Sequence, residues 1–315
     1  MRIFAALVLV GVLLSTAVAA RAQEGEQGAP PPGFGIYERG RNALNTGNFD
    51  QAVVDFSLFI LLNPTDGRAY YARAVSYQER GDLDQALGDL TQALRYTDSL
   101  PELHAAVYSQ RGNLYASSGR SEEALADFDE ALNLSPTPQN YLMRAILYLE
   151  EADYQAAVDD LDEAINLTPG AEPELYFYRA TAKSALANDD EAASDYLQWV
   201  NGIQERTAEA DPLEAGQTIT LNFEPSLVFS IPFEVEEGQT VNVVAANLSG
   251  DADPLMVITD EAGNPLVGND TTRAGDTSAV IRGYQVEEGG SYNLLVTHSI
   301  SGYNGRVVVL LEMQD

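Results

Sequence analysis

At 315 residues the chain is long enough for two or three domains, and 45% hydrophobic with 21% charged residues is the balance of a chain that folds. Forty-eight acidic against 17 basic side chains leave 48 − 17 = 31 negative charges, so phosphate backbones are repelled and nucleic acid is removed from the candidate partners. The chain has no cysteine, which excludes disulfides, thiol nucleophiles, thiolate metal centres and a lipidated cysteine.

Met1 and Arg2 precede an apolar run from Ile3 to Val18, and Ala20-Arg21-Ala22 places small residues where a signal peptidase reads. Residues 1–22 therefore read as a secretory signal peptide cleaved after Ala22, the run being short of the ~20 residues a spanning helix needs. The expected location is secreted, periplasmic or cell-surface, with no membrane insertion after cleavage. Residues 23–35, with Gly28-Ala29-Pro30-Pro31-Pro32-Gly33, lack an apolar period and read as a flexible linker.

From residue 36 the chain repeats itself. Arginine followed by a small residue recurs as Arg39-Gly40, Arg73-Ala74, Arg111-Gly112, Arg144-Ala145 and Arg179-Ala180. Three residues before each stands Ile36, Tyr70, Tyr108, Tyr141 or Tyr176, and eight after stands Gly47, Gly81, Gly119, Ala152 or Ala187. Thirteen after is always alanine (Ala52, Ala86, Ala124, Ala157, Ala192), seventeen after is Phe56, Leu90, Phe128, Leu161 or Tyr196, and Pro64, Pro136 and Pro169 close three copies. Apolar stripes at helical spacing on either side of the Gly/Ala position predict one helical hairpin per copy. A hairpin cannot bury its own apolar face, so the copies must stack as a solenoid.

These residues resemble the tetratricopeptide repeat over about 33–200, and the resemblance implies an all-α superhelical solenoid of five hairpins, here given the bounds 36–207. Lys183 departs from the pattern where an aromatic is usual, as do Phe59 and Trp199 where a small residue is usual. Trp199, at the end of the array, is expected to pack under the terminal helix or against the following domain.

Sixteen residues after each repeat arginine stands an aspartate, giving the pairs Arg39/Asp55, Arg73/Asp89, Arg111/Asp127, Arg144/Asp160 and Arg179/Asp195. The functional reading is an arginine ladder for anionic ligands; the structural one, which we favour, is an ion pair between the two helices of a hairpin that fixes register. The resemblance further implies a concave groove made by the first helices, whose lining positions fall on Tyr37, Arg41, Asn45, Arg68, Tyr71, Asn113, Leu142, Ile146, Phe177 and Thr181. That mixture of aromatic and hydrogen-bonding groups suits an extended peptide or a partner helix, against the plainer reading of a solvated face.

Beyond the polar stretch Asn201 to Pro212 the period switches to two. Strands are expected at Thr218 to Phe223, Leu227 to Phe233, Thr240 to Ala246, Pro254 to Thr259, Ala279 to Val286, Tyr292 to Thr297 and Gly305 to Glu312, which is the arithmetic of an antiparallel β-sandwich over 213–315. Phe233-Glu234-Val235-Glu236-Glu237-Gly238-Gln239, Asp253 through Asp260, Gly263-Asn264-Pro265 and Gly289 through Leu294 resemble the bacterial pre-peptidase C-terminal domain. That resemblance implies a non-catalytic accessory module for adhesion or partner binding. Asp251, Asp253, Asn269 and Asp270 are candidate calcium ligands, or simply solvated turns, and no other cofactor is expected.

His104 and His298 are the only histidines and read as incidental surface or boundary residues. Without a Gly-x-Ser-x-Gly elbow, phosphate loop, dinucleotide fingerprint or His-Glu-x-x-His, catalysis is not expected. The function expected from the sequence is an exported, non-enzymatic scaffold that binds a protein or peptide in the groove. The alternatives are carbohydrate or cell-wall binding by the sandwich with the repeats as spacer, or an accessory subunit of a secreted hydrolase.

Overall fold

The computed structural model describes residues 31–314 except 169, 204–205, 225–226, 251–252, 271–277 and 299–304. The expected signal peptide and most of the linker therefore lie outside the described residues. Ten helices precede nine strands among those that are described, and the chain divides after Leu147 into two compact units.

The first unit holds α1 (Phe34–Asn45), α2 (Phe49–Leu62), α3 (Gly67–Arg80), α4 (Leu83–Tyr96), α5 (Pro101–Ser117), α6 (Ser121–Leu134) and most of α7 (Pro138–Glu150). Hairpin geometry follows from the side chains at the repeat positions. The alanines thirteen after each arginine are fully buried, as are Phe56, Leu90 and Phe128. A Cβ on Gly40 would lie 3.0 Å from Phe56 Cε1, and one on Gly112 3.0 Å from Phe128 Cε1, so the small residue after the arginine is what lets the second helix close on the first.

Eight residues after each arginine the backbone turns left-handed in all five copies, with φ of 74°, 88° and 72° at Gly47, Gly81 and Gly119 and of 60° and 61° at Ala152 and Ala187. The first helix of every hairpin ends there because the turn, not the side chain, is imposed. The two alanines hold a conformation that costs an L-residue about 1–2 kcal/mol.

The second unit begins with α8 (Tyr154–Asn166), α9 (Pro173–Ala185) and α10 (Asp189–Ile203), then β1 (Arg206–Glu209), β2 (Thr218–Phe223), β3 (Leu227–Val235), β4 (Thr240–Gly250), β5 (Pro254–Asp260), β6 (Pro265–Asn269), β7 (Ser278–Gln285), β8 (Gly290–His298) and β9 (Gly305–Gln314). The strands form a five-stranded sheet, β1-β3-β8-β5-β6, facing a four-stranded sheet, β2-β9-β4-β7. Ile231, Met256, Ile258, Leu294 and Val296 from the first meet Val241, Val243, Ile281, Val307 and Val309 from the second in one core.

Two strands are additions to the sequence reading. β6 follows the Gly263-Asn264 turn that was expected only to separate strands. β1 lies within the polar stretch 201–212, where no strand is expected from the sequence, and pairs in parallel with β3, Arg206 opposite Leu227, so the sandwich is not wholly antiparallel.

β5 explains how helices and sheet come to share a unit. Residues 254–259 are all buried, because Met256 and Ile258 point into the sandwich while Leu255 and Val257 point the other way onto α10. There they join Ala192, Ala193, Tyr196, Trp199, Val200 and Val228 in a second apolar cluster. Trp199 thus packs against the following domain, one of the two positions expected for it. A Cβ on Gly268 of β6 would lie 3.0 Å from Tyr196 Cδ2 and 3.2 Å from Ala193 Cα, so the glycine admits the helix backbone to the sheet surface.

Trp199→Ala is expected to cost about 3–5 kcal/mol by leaving a cavity, and Gly268→Val about 1–3 kcal/mol by overpacking. Both are read by urea denaturation followed through far-UV circular dichroism. Losses below 1 kcal/mol would show that α10 does not depend on the sheet.

Candidate functional site

The arginines form a repeated clamp. Arg73 donates from Nε to Asp89 Oδ2 at 2.6 Å and from Nη2 to Oδ1 at 2.8 Å; Arg111 does the same to Asp127 at 2.8 and 2.7 Å. Arg39 and Asp55 pair at 2.8 and 2.5 Å, as do Arg179 and Asp195. Arg144 and Asp160 stand on either side of the division between the units. The paired aspartates are almost fully buried, at 0%, 7%, 4% and 3% exposure for Asp55, Asp89, Asp127 and Asp195.

In the four later copies the arginine Nη1 reaches back to the preceding hairpin. Arg73 meets Ser57 Oγ at 3.0 Å, Arg111 meets Thr91 Oγ1 at 3.4 Å, Arg144 meets Asp129 Oδ1 at 2.5 Å and Arg179 meets Asp162 Oδ1 at 2.6 Å. Each acceptor stands eighteen residues after the previous repeat arginine, since 57 − 39, 91 − 73, 129 − 111 and 162 − 144 all equal 18. The guanidinium groups of Arg73, Arg111 and Arg179 therefore each join the two helices of their own hairpin and a helix of the one before. Tyrosine rings complete the seat: Arg73 lies 5.7 and 5.8 Å from the centroids of Tyr70 and Tyr77, and Arg111 lies 5.7 and 5.6 Å from those of Tyr108 and Tyr115.

Lys183, which replaces the second tyrosine in the last copy, instead places Nζ 3.0 Å from Asp195 Oδ2 and 3.4 Å from Glu191 Oε2. Hydrogen bonding from Arg39 holds the Asp55 carboxyl below the usual range, against the opposing effect of its burial. The guanidinium forks are thus taken up by the protein itself, which is the arrangement of a structural pair and not of an anion ladder.

The positions named for the groove divide by accessibility. Tyr37, Tyr71, Leu142 and Ile146 are 2%, 2%, 4% and 1% exposed, so they serve as core, and a ligand reading of them is corrected. The Tyr37 ring, for instance, lies 5.5 and 5.1 Å from those of Phe56 and Phe59 on the second helix of its hairpin. Burial pushes the Tyr37 hydroxyl up to about 12, with Asp66 adding to the effect. Arg41, Arg68, Phe177 and Thr181 are half-buried and Asn45 is exposed.

Arg41 pairs with Glu38 at 3.2 Å and Arg68 with Asp66 at 2.9 Å. The Phe177 ring lies 5.2 Å from that of Trp199, and Thr181 Oγ1 donates to Phe177 O at 3.0 Å. Asn113 is 9% exposed, and its side-chain carbonyl oxygen is buried with no hydrogen-bond partner among the described residues. Such an acceptor is costly to leave unmet and marks α5 within the row of first helices.

Of the candidate calcium ligands, Asp251 lies outside the described residues. Asn269 accepts from Val280 N at 3.0 Å and lies 3.5 Å from Ser184 Oγ, while Asp270 is 5% exposed. Among the described residues no group of three or more carboxylates or histidines is arranged to hold a metal.

His104 is half-buried, with Nδ1 2.8 Å from Thr97 Oγ1. His298 is a correction to the sequence reading: it is 4% exposed, its ring centroid lies 4.3 Å from that of Phe223, and neither ring nitrogen has a hydrogen-bond partner among the described residues. Burial lowers its pKa, against a smaller opposing effect of Asp253.

Among known proteins, residues 71–140 and 138–170 each match a family profile described as tetratricopeptide repeat, so these hairpins are tetratricopeptide repeats. Tetratricopeptide repeat protein 13 of Homo sapiens is 27% identical over 106 residues, covering 32% of this chain and 12% of that protein. DnaJ homolog subfamily C member 3 of Mus musculus is 31% identical over 102 residues, covering 32% of this chain and 19% of that protein. The chain therefore spans less than a fifth of either relative. A crystal structure of MamA protein superposes with a TM-score of 0.49 at 16% identity, over 54% of this chain and 91% of that one.

Arg73→Met keeps the aliphatic stem but strands Asp89, and is expected to cost about 3–5 kcal/mol in urea denaturation. Adding Asp89→Leu should recover most of that loss; a double variant as unstable as the single would refute the pair as a unit. His298 binds protons less well folded than unfolded, so stability is present at neutral pH and falls as pH drops below about 6.5, the ordinary histidine value. Thermal melts between pH 8 and pH 5 are expected to show this fall, and His298→Phe to reduce it; equal slopes in both proteins would count against the assignment.

Proposed function

We propose that the chain is an exported, non-enzymatic scaffold whose repeats bind a peptide or protein along the row of first helices. The observation that carries this reading is the unmet Asn113 acceptor on α5, in the same row as the exposed Asn45 and the half-buried Arg41 and Arg68, on a framework whose register the clamps hold fixed. A row of side chains at fixed spacing, held before any ligand arrives, binds an extended chain with little ordering cost. Tetratricopeptide repeats serve generally as protein-interaction scaffolds, which agrees with this use.

Export rests on the expected signal peptide, with cleavage after Ala22. The sandwich, on its resemblance to the pre-peptidase C-terminal domain, is read as an accessory module that docks on a second surface. Its carbohydrate-binding alternative needs a face of exposed aromatics; among the described residues of the sandwich the exposed large apolar side chain is Leu248.

The test joins stability to binding. Asn113→Leu removes a buried unpaired acceptor and is expected to leave the fold as stable or about 1 kcal/mol more so, while weakening partner capture. Capture is measured with a photo-cross-linking residue at Asn45 of the full chain in its host's secreted fraction, with the same residue at Arg95, on a second helix, as the control. Adducts at Asn45 that disappear with Asn113→Leu support the groove. Equal labelling at both positions, or adducts indifferent to Asn113, would move binding elsewhere.

A further inference from the structure

The outward face of α2 carries Val54, Leu58, Leu61 and Leu62, exposed by 51%, 43%, 78% and 53%. The steps from 54 to 58 and from 58 to 61 are four and three residues, the spacing of a seam that packs against another helix. The repeat supplies an internal control. Nineteen and twenty-two residues after the arginine, where the first copy has Leu58 and Leu61, the second has Gln92 and Arg95, and the later copies have glutamate or glutamine and asparagine. Stacking of hairpins therefore does not need apolar side chains at these positions.

Charge selects the occupant. The only carboxylates of α2 are Asp50, whose Oδ1 lies 3.0 Å from Arg80 Nη1, and Asp55, bound by Arg39. A basic partner would be drawn to the acidic remainder of a chain of net charge −31 and not to this neutralised strip. A second copy of the chain, repelled over most of its surface, meets on α2 only carboxylates that are already paired. We propose that α2 packs against α2 of a second copy about a two-fold axis near Leu58, as an isologous dimer.

Four apolar side chains from each copy are few beside the roughly 20–30 residues a side of a standard interface, so the dimer is weak and concentration-dependent. Because apolar contact opposes like-charge repulsion between the bodies, the dimer tightens as salt rises, the reverse of an ion-paired interface.

Sedimentation velocity on the full chain, with and without residues 1–22, tests this. The expected result is a dimer fraction that grows with protein and salt concentration in both forms, at least a tenfold weaker dimer for Leu58→Glu/Leu61→Glu, and no change for Gln92→Glu. The absence of cysteine adds a second measurement that does not depend on the charged variant folding: Leu58→Cys can oxidise only between copies, and is expected to form a covalent dimer at least tenfold faster than Gln92→Cys. The proposal is overturned by a monomer at every concentration, by a dimer that survives the paired glutamates, by association that requires residues 1–22, or by equal cross-linking at positions 58 and 92.

Discussion

A carboxylate cannot be buried alone. In this chain four aspartates between 0% and 7% exposed are held in place by arginines that reach them with two parallel hydrogen bonds. Taking the charge out of water is repaid only if the fork is met in plane, so each pair tolerates a narrow range of helix crossings. Apolar packing alone would allow the two helices of a hairpin to slide; the paired charges forbid it. The third guanidinium nitrogen carries the same constraint to the preceding hairpin, and its acceptor changes from serine to threonine to aspartate along the chain without changing position. At Arg73, Arg111 and Arg179, register within a copy and toward the preceding one is therefore fixed by one residue type.

The end of the array shows how a repeat is terminated by contact. Where a following hairpin would cover the last second helix, α10 instead meets the outer surface of β5 and β6. Tyr196, at the position that is Phe56 or Phe128 in other copies, keeps its hairpin role and touches the sheet as well, and Trp199 fills the place usually held by a small residue. The sheet answers with Gly268, whose missing side chain lets the helix come close. The last hairpin and the sandwich thus share a core, and a cut at the apparent composition boundary near residue 210 would expose Trp199, Leu255 and Val257 to water.

Much of this was readable in advance because periodicity reports burial on one side of an element. The hairpins, their crossing residues and the Arg/Asp offset of sixteen follow from spacing, and seven strands followed from alternation. β1 escaped because Arg206–Glu209 is an exposed edge strand with no apolar face to alternate. β6 escaped because five residues with glycine and proline look like a turn. The unbroken run Leu255-Met256-Val257-Ile258 was the legible sign of burial on both faces of β5, and hence of a helix packed outside the sandwich. The groove positions were placed by family register alone, which cannot distinguish a side chain that lines a surface from one enclosed between neighbouring helices. Tyr37, Tyr71, Leu142 and Ile146 are enclosed, and His298, which reads in the sequence as an incidental surface or boundary residue, packs against the Phe223 ring.

By itself the sequence determined the hairpin unit, its five copies, the residues that pair across it and the change from helices to strands, because each is a local or constant-offset property of one chain. Only the tertiary structure decided which second acceptor Arg73, Arg111, Arg144 and Arg179 take, which groove residues are buried, that Asn113 has no partner for its carbonyl oxygen among the described residues, and that α10 rests on β5. Those outcomes depend on distances between segments far apart in the chain, and burial of a polar or apolar group is set by what the fold brings over it.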